Sequence, residues 1–239
     1  MKKILLPLFS SLVLVWMILL SGCTADCIDG QGKIVSSTRH PDSFTEIELN
    51  IEADVEIGIA SKSVMQIHAQ PNVMKAITTE VRGGKLIIDA SSCLGNTEPI
   101  QIKVFTNELT EIEVNGSGMV KTMNPVYVGD IEIEVSGSGK IFADVHANET
   151  KVDISGSGEV IINGSTNKQN IEISGSGVYL GLGLRCNETK IEMSGSGKAE
   201  VSTLNKLKVD ISGSGEVIYA GNPKIKSEIS GSGKLTKMD

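Results

Sequence analysis

Seven copies of Gly-Ser-Gly, with the first Gly at 116, 137, 156, 175, 195, 213 and 231, each place a hydroxyl between two residues of unrestricted backbone. A serine so flanked is the residue type of a nucleophile elbow or a phosphate-cradling loop. An elbow needs Gly-x-Ser-x-Gly on a strand-to-helix turn, and a phosphate loop needs a helix N-terminus. No copy has the first spacing or a helical pattern after it. Seven repeats in one context point to geometry, and no catalytic residue is assigned. The pairs Gly116 and Gly118, Gly137 and Gly139, Gly156 and Gly158, Gly175 and Gly177, Gly195 and Gly197, Gly213 and Gly215, and Gly231 and Gly233 are expected to be structural turns.

A second set could bind a cation. Glu113, Glu134, Asp153, Glu172, Glu192, Asp210 and Glu228 each stand three residues before a repeat's first Gly. Stacked about 4.8 Å apart they would repel one another. Either Ca²⁺ bridges the oxygens or lysines neutralise them. Two residues earlier lie Glu111, Glu132, Lys151, Asn170, Lys190, Lys208 and Lys226, so the basic flanks are all C-terminal. Glu111, Glu113, Glu132 and Glu134 form the uncompensated corner and are the candidate calcium ligands. The preferred reading is a solvated, lysine-screened face that needs no metal or cofactor.

The third set is the cysteines. Lys2 and Lys3 precede a mostly apolar run from Ile4 to Leu20, ending in Leu20-Ser21-Gly22-Cys23. An aliphatic residue, two small residues and a Cys mark a lipoprotein signal, with Cys23 taking the lipid. A membrane-spanning helix is the competing reading, but the run is shorter than the roughly 20 apolar residues a span needs, and Pro7, Ser10 and Ser11 interrupt it. Of the remaining three, Cys27 and Cys93 could pair while Cys186 stays buried, or all three could be reduced. None adjoins another, and His40, His68 and His146 are scattered, which disfavours a metal site.

The elements positioning these residues are legible in the repeat itself. Its intervals are 21, 19, 19, 20, 18 and 18 residues, a solenoid period. Apolar columns run through Val114, Val135, Ile154, Ile173, Met193, Ile211 and Ile229, and through Ile112, Ile133, Val152, Ile171, Ile191 and Val209. With the carboxylates between them, each segment alternates with period two, which predicts strands. The fold class is all-β: a single-stranded parallel β-helix, or β-solenoid, with rungs of about 19 residues. Its narrow core suits Val and Ile better than rings, and the Ser hydroxyls are expected to bond the neighbouring rung's backbone.

Phe44 to Val114 reads as the same architecture with the motif eroded. Strands are predicted around Ile47–Ile59, Val64–Ile67, Lys85–Ile88 and Ile100–Val104, with a turn at Gly83-Gly84. At the other end Lys224, Lys226, Lys234 and Lys237 crowd the last coil, where charge discourages edge-to-edge pairing.

Removing residues 1–22 would leave 20 basic against 29 acidic side chains, a net charge of −9. That balance excludes the basic face that nucleic-acid binding needs. An anionic membrane would repel such a body within about 8 to 10 Å, so the anchor is the lipid on Cys23. With Arg only at 39, 82 and 185 and no Trp beyond Trp16, the usual furniture of a polysaccharide-cleaving site is missing.

The lipobox, Phe44-Thr45-Glu46-Ile47-Glu48-Leu49, Val55-Glu56-Ile57, Thr79-Glu80-Val81-Arg82-Gly83-Gly84-Lys85-Leu86 and the Gly-Ser-Gly series, in this order, resemble the head GIN domain family of auto-transporter adhesins. The resemblance spans roughly residues 42 to 222. It implies a β-helical fold and an adhesin role, and it carries no catalytic residues over. The expected organisation is a signal peptide (1–22), a lipidated Cys and linker (23–41), the head GIN-like solenoid (42–222), and a last rung with cap (223–239). The expected function is a non-enzymatic, outer-membrane-anchored adhesin with a glycan or protein ligand. A periplasm-facing scaffold is the alternative, and a polysaccharide-active enzyme a more distant one.

Overall fold

The computed structural model describes residues 27–238; the expected signal peptide and lipidation at Cys23 lie outside them. The chain opens with β1 (Val35–Arg39), β2 (Glu46–Leu49), β3 (Asp54–Ile59), β4 (Val64–Ala69) and a single-turn helix, α1 (Pro71–Ala76). It continues through β5 (Ile77–Arg82), β6 (Lys85–Ala90), β7 (Gln101–Thr106), β8 (Glu111–Gly116), β9 (Met119–Thr122) and β10 (Val126–Tyr127). The regular part comprises β11 (Asp130–Gly137), β12 (Lys140–Gly156), β13 (Glu159–Gly175), β14 (Val178–Gly195), β15 (Lys198–Gly213), β16 (Glu216–Ala220), β17 (Lys224–Gly231) and β18 (Lys234–Lys237).

Strands β12 to β15 each run a full rung, from one Gly-Ser-Gly to the next, and stack in parallel on their neighbours. Register follows the repeat: Val114 lies on Val135, then Ile154, Ile173, Met193, Ile211 and Ile229. All of these but Ile229 are buried, as is the column from Ile112 to Val209. Burial of alternate residues is what holds this register, since a one-residue slip would turn each apolar column to solvent.

At each corner the first Gly has a positive φ, from +107° at Gly116 to +129° at Gly213. The rung-to-rung contact there is made by backbone rather than by the serine hydroxyl that the sequence suggests. Ser138 N–H donates to Gly116 C=O at 2.8 Å and Lys140 N–H to Gly118 C=O at 3.0 Å, a pattern repeated up the stack. The second Gly has a different role: a Cβ at Gly158 would collide with the Val135 side chain. The core also departs from expectation by admitting rings. Tyr179 and Phe44 are buried, and Tyr179 fits because its column neighbours are Val160 on one side and the small Ala199 on the other.

The N-terminal part is not a sequential series of eroded rungs. β2 pairs in parallel with both β6 and β8, and β3 with both β7 and β9. The rung built from residues 46–59 is thus threaded between a later one, residues 85–106, and the rung that begins at Glu111. Three antiparallel pairings then close that end: β5 on β6 through the turn at Gly83-Gly84, β4 on β7, and β1 on β4. These antiparallel strands cover an edge that could otherwise continue the parallel ladder. Cys27 and Cys93 form a disulfide, with Cα atoms 4.6 Å apart, that ties the N-terminal segment to the loop after β6, and Cys186 is buried and free.

The opposite end has no such cover among the described residues. β17 pairs with β15, and β18 with β16, on one side only among the described residues, and every residue of β17 is exposed. Among the described residues, no helix is long and apolar enough to cross a membrane.

Candidate functional site

The carboxylate column exists and is longer than the repeat reveals. Glu113, Glu134, Asp153, Glu172, Glu192, Asp210 and Glu228 are successive register partners, and the threading of β2 adds Glu48 beside Glu113. The flanking column gains Glu46 beside Glu111 in the same way. No repeat signal marks residues 46–49 as neighbours of residues 111–114, which is why these two acids escape a sequence reading.

The corner at Glu111, Glu113, Glu132 and Glu134 is not uncompensated. Lys85, on β6, reaches across the intervening β2 to Glu111 (2.6 Å) and Glu113 (2.9 Å). Lys151 bridges Glu132 (2.5 Å) and Asp153 (2.7 Å). These partners hold the Glu113 and Glu132 carboxyls below the usual range and push both lysines up. Ligand oxygens of Glu132, Glu134 and Asp153 lie within 4.8 Å of one another, but the Lys151 ammonium already bonds two of the three. A divalent ion would have to displace it, so the cation of this cluster is the lysine's own.

Glu134 is the member without an ion-pair partner among the described residues. Partial burial, a hydrogen bond to Glu132 in its protonated form, and the charges of Glu132, Asp153 and Glu113 push its pKa up to about 7. The folded protein therefore binds a proton that the unfolded chain releases nearer pH 4.5, and stability falls as pH rises from about 4.5 to 7. Glu134→Gln should remove that loss. We expect the variant to be more stable than the parent by roughly 1 kcal/mol at pH 8, with little difference at pH 4, because water screens a half-buried carboxylate. Denaturant melts at the two pH values check this.

A different feature of the wall is an exposed aromatic stack. Tyr127 is 75% exposed, and its ring lies over that of His146, with centroids 4.7 Å apart and planes inclined by 10°. The stack follows from register: β10 pairs with β12 so that Tyr127 sits beside His146, and Val128 N–H donates to His146 C=O at 3.1 Å. The same row continues to Ser165 on β13 and Arg185 on β14, both exposed. Ser165 Oγ is 2.9 Å from His146 Nδ1, and Asp144 Oδ1 is 3.8 Å from Nε2.

Ser165, His146 and Asp144 are the residue types of a hydrolytic triad. Their geometry differs from one: the Asp is beyond hydrogen-bond distance, and the row lies within a ladder whose amides are engaged on both sides. An oxyanion needs preorganised N–H donors, and a paired strand has none to spare. What the row offers is an exposed aromatic stack with a carboxylate, a hydroxyl and a guanidinium set out along the same wall beyond it. A second recess, of about 500 Å³, lies beside the disulfide-tied loop and includes Glu52, Asp54, Asn96, Ser117 and Lys140. Its lining mixes these polar side chains with Leu94, Ile100 and Met119 and contains no aromatic side chain.

A model of the family described as "putative auto-transporter adhesin, head GIN domain" matches residues 43–223. The chain belongs to this family. Solved structures share the fold of this head GIN protein. A putative adhesin from Bacteroides fragilis superposes with a TM-score of 0.84 at 20% identity, over 88% of this chain and 100% of that one. A putative lipid binding protein from Parabacteroides distasonis gives 0.77 at 24% identity, over 89% and 99%. A putative adhesin from the same organism gives 0.75 at 22% identity, over 89% and 100%. No curated protein matches the chain. At these identities the similarity concerns the fold; the head GIN wall has to be read from its own side chains. Tyr127 and His146 stand one rung, 19 residues, apart, and that spacing is the signal by which a sequence reading could have paired them.

Proposed function

We propose that this protein is a lipid-anchored, non-enzymatic adhesin of the outer membrane that binds a glycan across the solenoid wall at Tyr127. The exposed Tyr127–His146 stack is the observation that carries the reading. A sugar ring presents an apolar C–H face that stacks on an aromatic ring, and its hydroxyls donate hydrogen bonds to carboxylates and hydroxyls around it and accept them from hydroxyls and guanidinium groups. Asp144, Ser165 and Arg185 provide such groups on the same stretch of wall. A parallel ladder also holds the row rigid, so little conformational freedom is lost on binding. Family membership supports the adhesin role, and the lipobox ending in Cys23 supports the anchor.

The test uses intact cells that display the full-length protein, applied to immobilised polysaccharides. Binding should disappear when the cells are shaved with protease, and Tyr127→Ala should weaken it at least tenfold without changing expression. Retained binding in Tyr127→Ala would move the ligand elsewhere on the wall. Protection from protease in intact cells, with cleavage after lysis, would favour a periplasm-facing scaffold.

A further inference from the structure

We propose that the free edge of β17 pairs with the same edge of a second copy, forming an antiparallel two-fold dimer centred on Ser227. The edge is unusual on an otherwise well-covered molecule. Its inward-facing Ile225 and Ile229 are each 43% exposed, whereas their column neighbours one rung earlier, Leu207 and Ile211, are buried. Backbone polarity also favours it. In the outward column through Glu132 and Lys226 the amide points to the preceding rung, as Glu132 N–H bonding Thr110 C=O shows. Residues 225, 227 and 229 therefore turn their N–H and C=O groups toward the open side.

Self-pairing about Ser227 satisfies each of these residues at once. Ser227 meets Ser227 of the second copy, Ile225 meets Ile229, and Ile229 meets Ile225, all as hydrogen-bonded pairs. Lys226 then faces Glu228, and Glu228 faces Lys226, as the closer non-hydrogen-bonded pairs in which opposite charges attract. Within one copy these two already bond at 3.2 Å, with side chains 72% and 63% exposed, so both are free to share a partner across the axis. The neighbouring registers allowed by the backbone fail. Centring on Lys226 sets Lys226 against Lys226, and centring on Glu228 sets Glu228 against Glu228. A self-complementary patch of this kind is what an isologous dimer requires.

The lysines of the last coil look like protection against edge pairing, and for head-to-tail stacking they serve as such. That route is also blocked at the far end by β1, β4 and β5. The two-fold arrangement escapes both obstacles, because it uses one end only and matches a lysine with a glutamate.

The experiment is Ser227→Cys in the full-length protein, expressed in its envelope and read on a non-reducing denaturing gel. Residues opposed in hydrogen-bonded pairs have Cα atoms about 5.5 Å apart, within disulfide range. Ser227→Cys should run mostly as a linked dimer, while Ser174→Cys, exposed on the lateral wall, should run as monomer. Adding Lys226→Glu should cut the dimer band at least tenfold, and the exchange Lys226→Glu with Glu228→Lys should restore it. Equal bands at positions 227 and 174 would overturn the proposal, as would failure of the charge exchange to restore the dimer.

Discussion

Gly156→Val should lower stability by about 3 kcal/mol or more, whereas Ser157→Ala, one residue on, should change it by no more than about 0.5 kcal/mol. Gly156 sits at φ +110°, a region that a β-branched residue enters only under strain. Space is the second obstacle: a Cβ there would stand 2.6 Å from the carbonyl oxygen of Gly137 and 3.3 Å from its Cα. That oxygen is the acceptor for Ser157 N–H at 2.8 Å, so the rungs cannot separate to make room without losing the corner bond. The Ser157 side chain, by contrast, is exposed. For a chain of this size 1 kcal/mol moves Tm by about 2 to 4 °C, so the valine variant should melt roughly 6 to 12 °C lower. Similar melting of the two variants would mean that the corner relaxes, and that the glycine is not required by its geometry.

The same corner shows what a repeat can and cannot reveal. Period, strand alternation and the positions of the turns are properties of one rung, and one rung is a local stretch of sequence. Register between successive rungs follows from them, which is why the columns from Val114 to Ile211 and from Glu113 to Asp210 are readable before any coordinates. Order along the axis is not a local property. Glu46 and Glu48 lie beside Glu111 and Glu113 because residues 46–59 are inserted between two later rungs, and no residue in either segment signals that path. Lys85 illustrates the cost of missing it. Its neighbours in sequence are a hairpin turn and a strand of apolar alternation, yet its ammonium pairs with Glu111 and Glu113, half of the corner that the linear pattern leaves bare.

The wall was partly legible for a related reason. Tyr127 and His146 are one period apart, but the Gly-Ser-Gly motif draws the alignment to the other side of the rung. Outward residues on the return strands vary from copy to copy, since no core selects them, and that variability is where a ligand-binding row can be placed without disturbing the ladder.

Tyr179 sits where that ladder is least forgiving. Its side chain is fully buried, and its hydroxyl donates to Gln169 Oε1 at 2.8 Å. Gln169 Nε2 then donates to Thr189 Oγ1 at 2.9 Å, and Thr189 Oγ1 lies 2.7 Å from Thr203 Oγ1. The chain of bonds crosses the core between the two sides of successive rungs, and burial pushes the phenol's pKa up, keeping it a donor. Tyr179→Phe keeps the ring and leaves Gln169 Oε1 without its donor in a dry site, at a cost of about 1 to 2 kcal/mol. Tyr179→Ala removes the ring as well. Ala199 on one side and Val160 on the other are too short to fill the space, so the loss should reach about 3 to 5 kcal/mol. Denaturant melts of the two variants separate packing from hydrogen bonding. If Phe is as damaging as Ala, the polar chain rather than the ring holds these rungs together; if Phe is neutral, the hydroxyl is a passenger in a packed core.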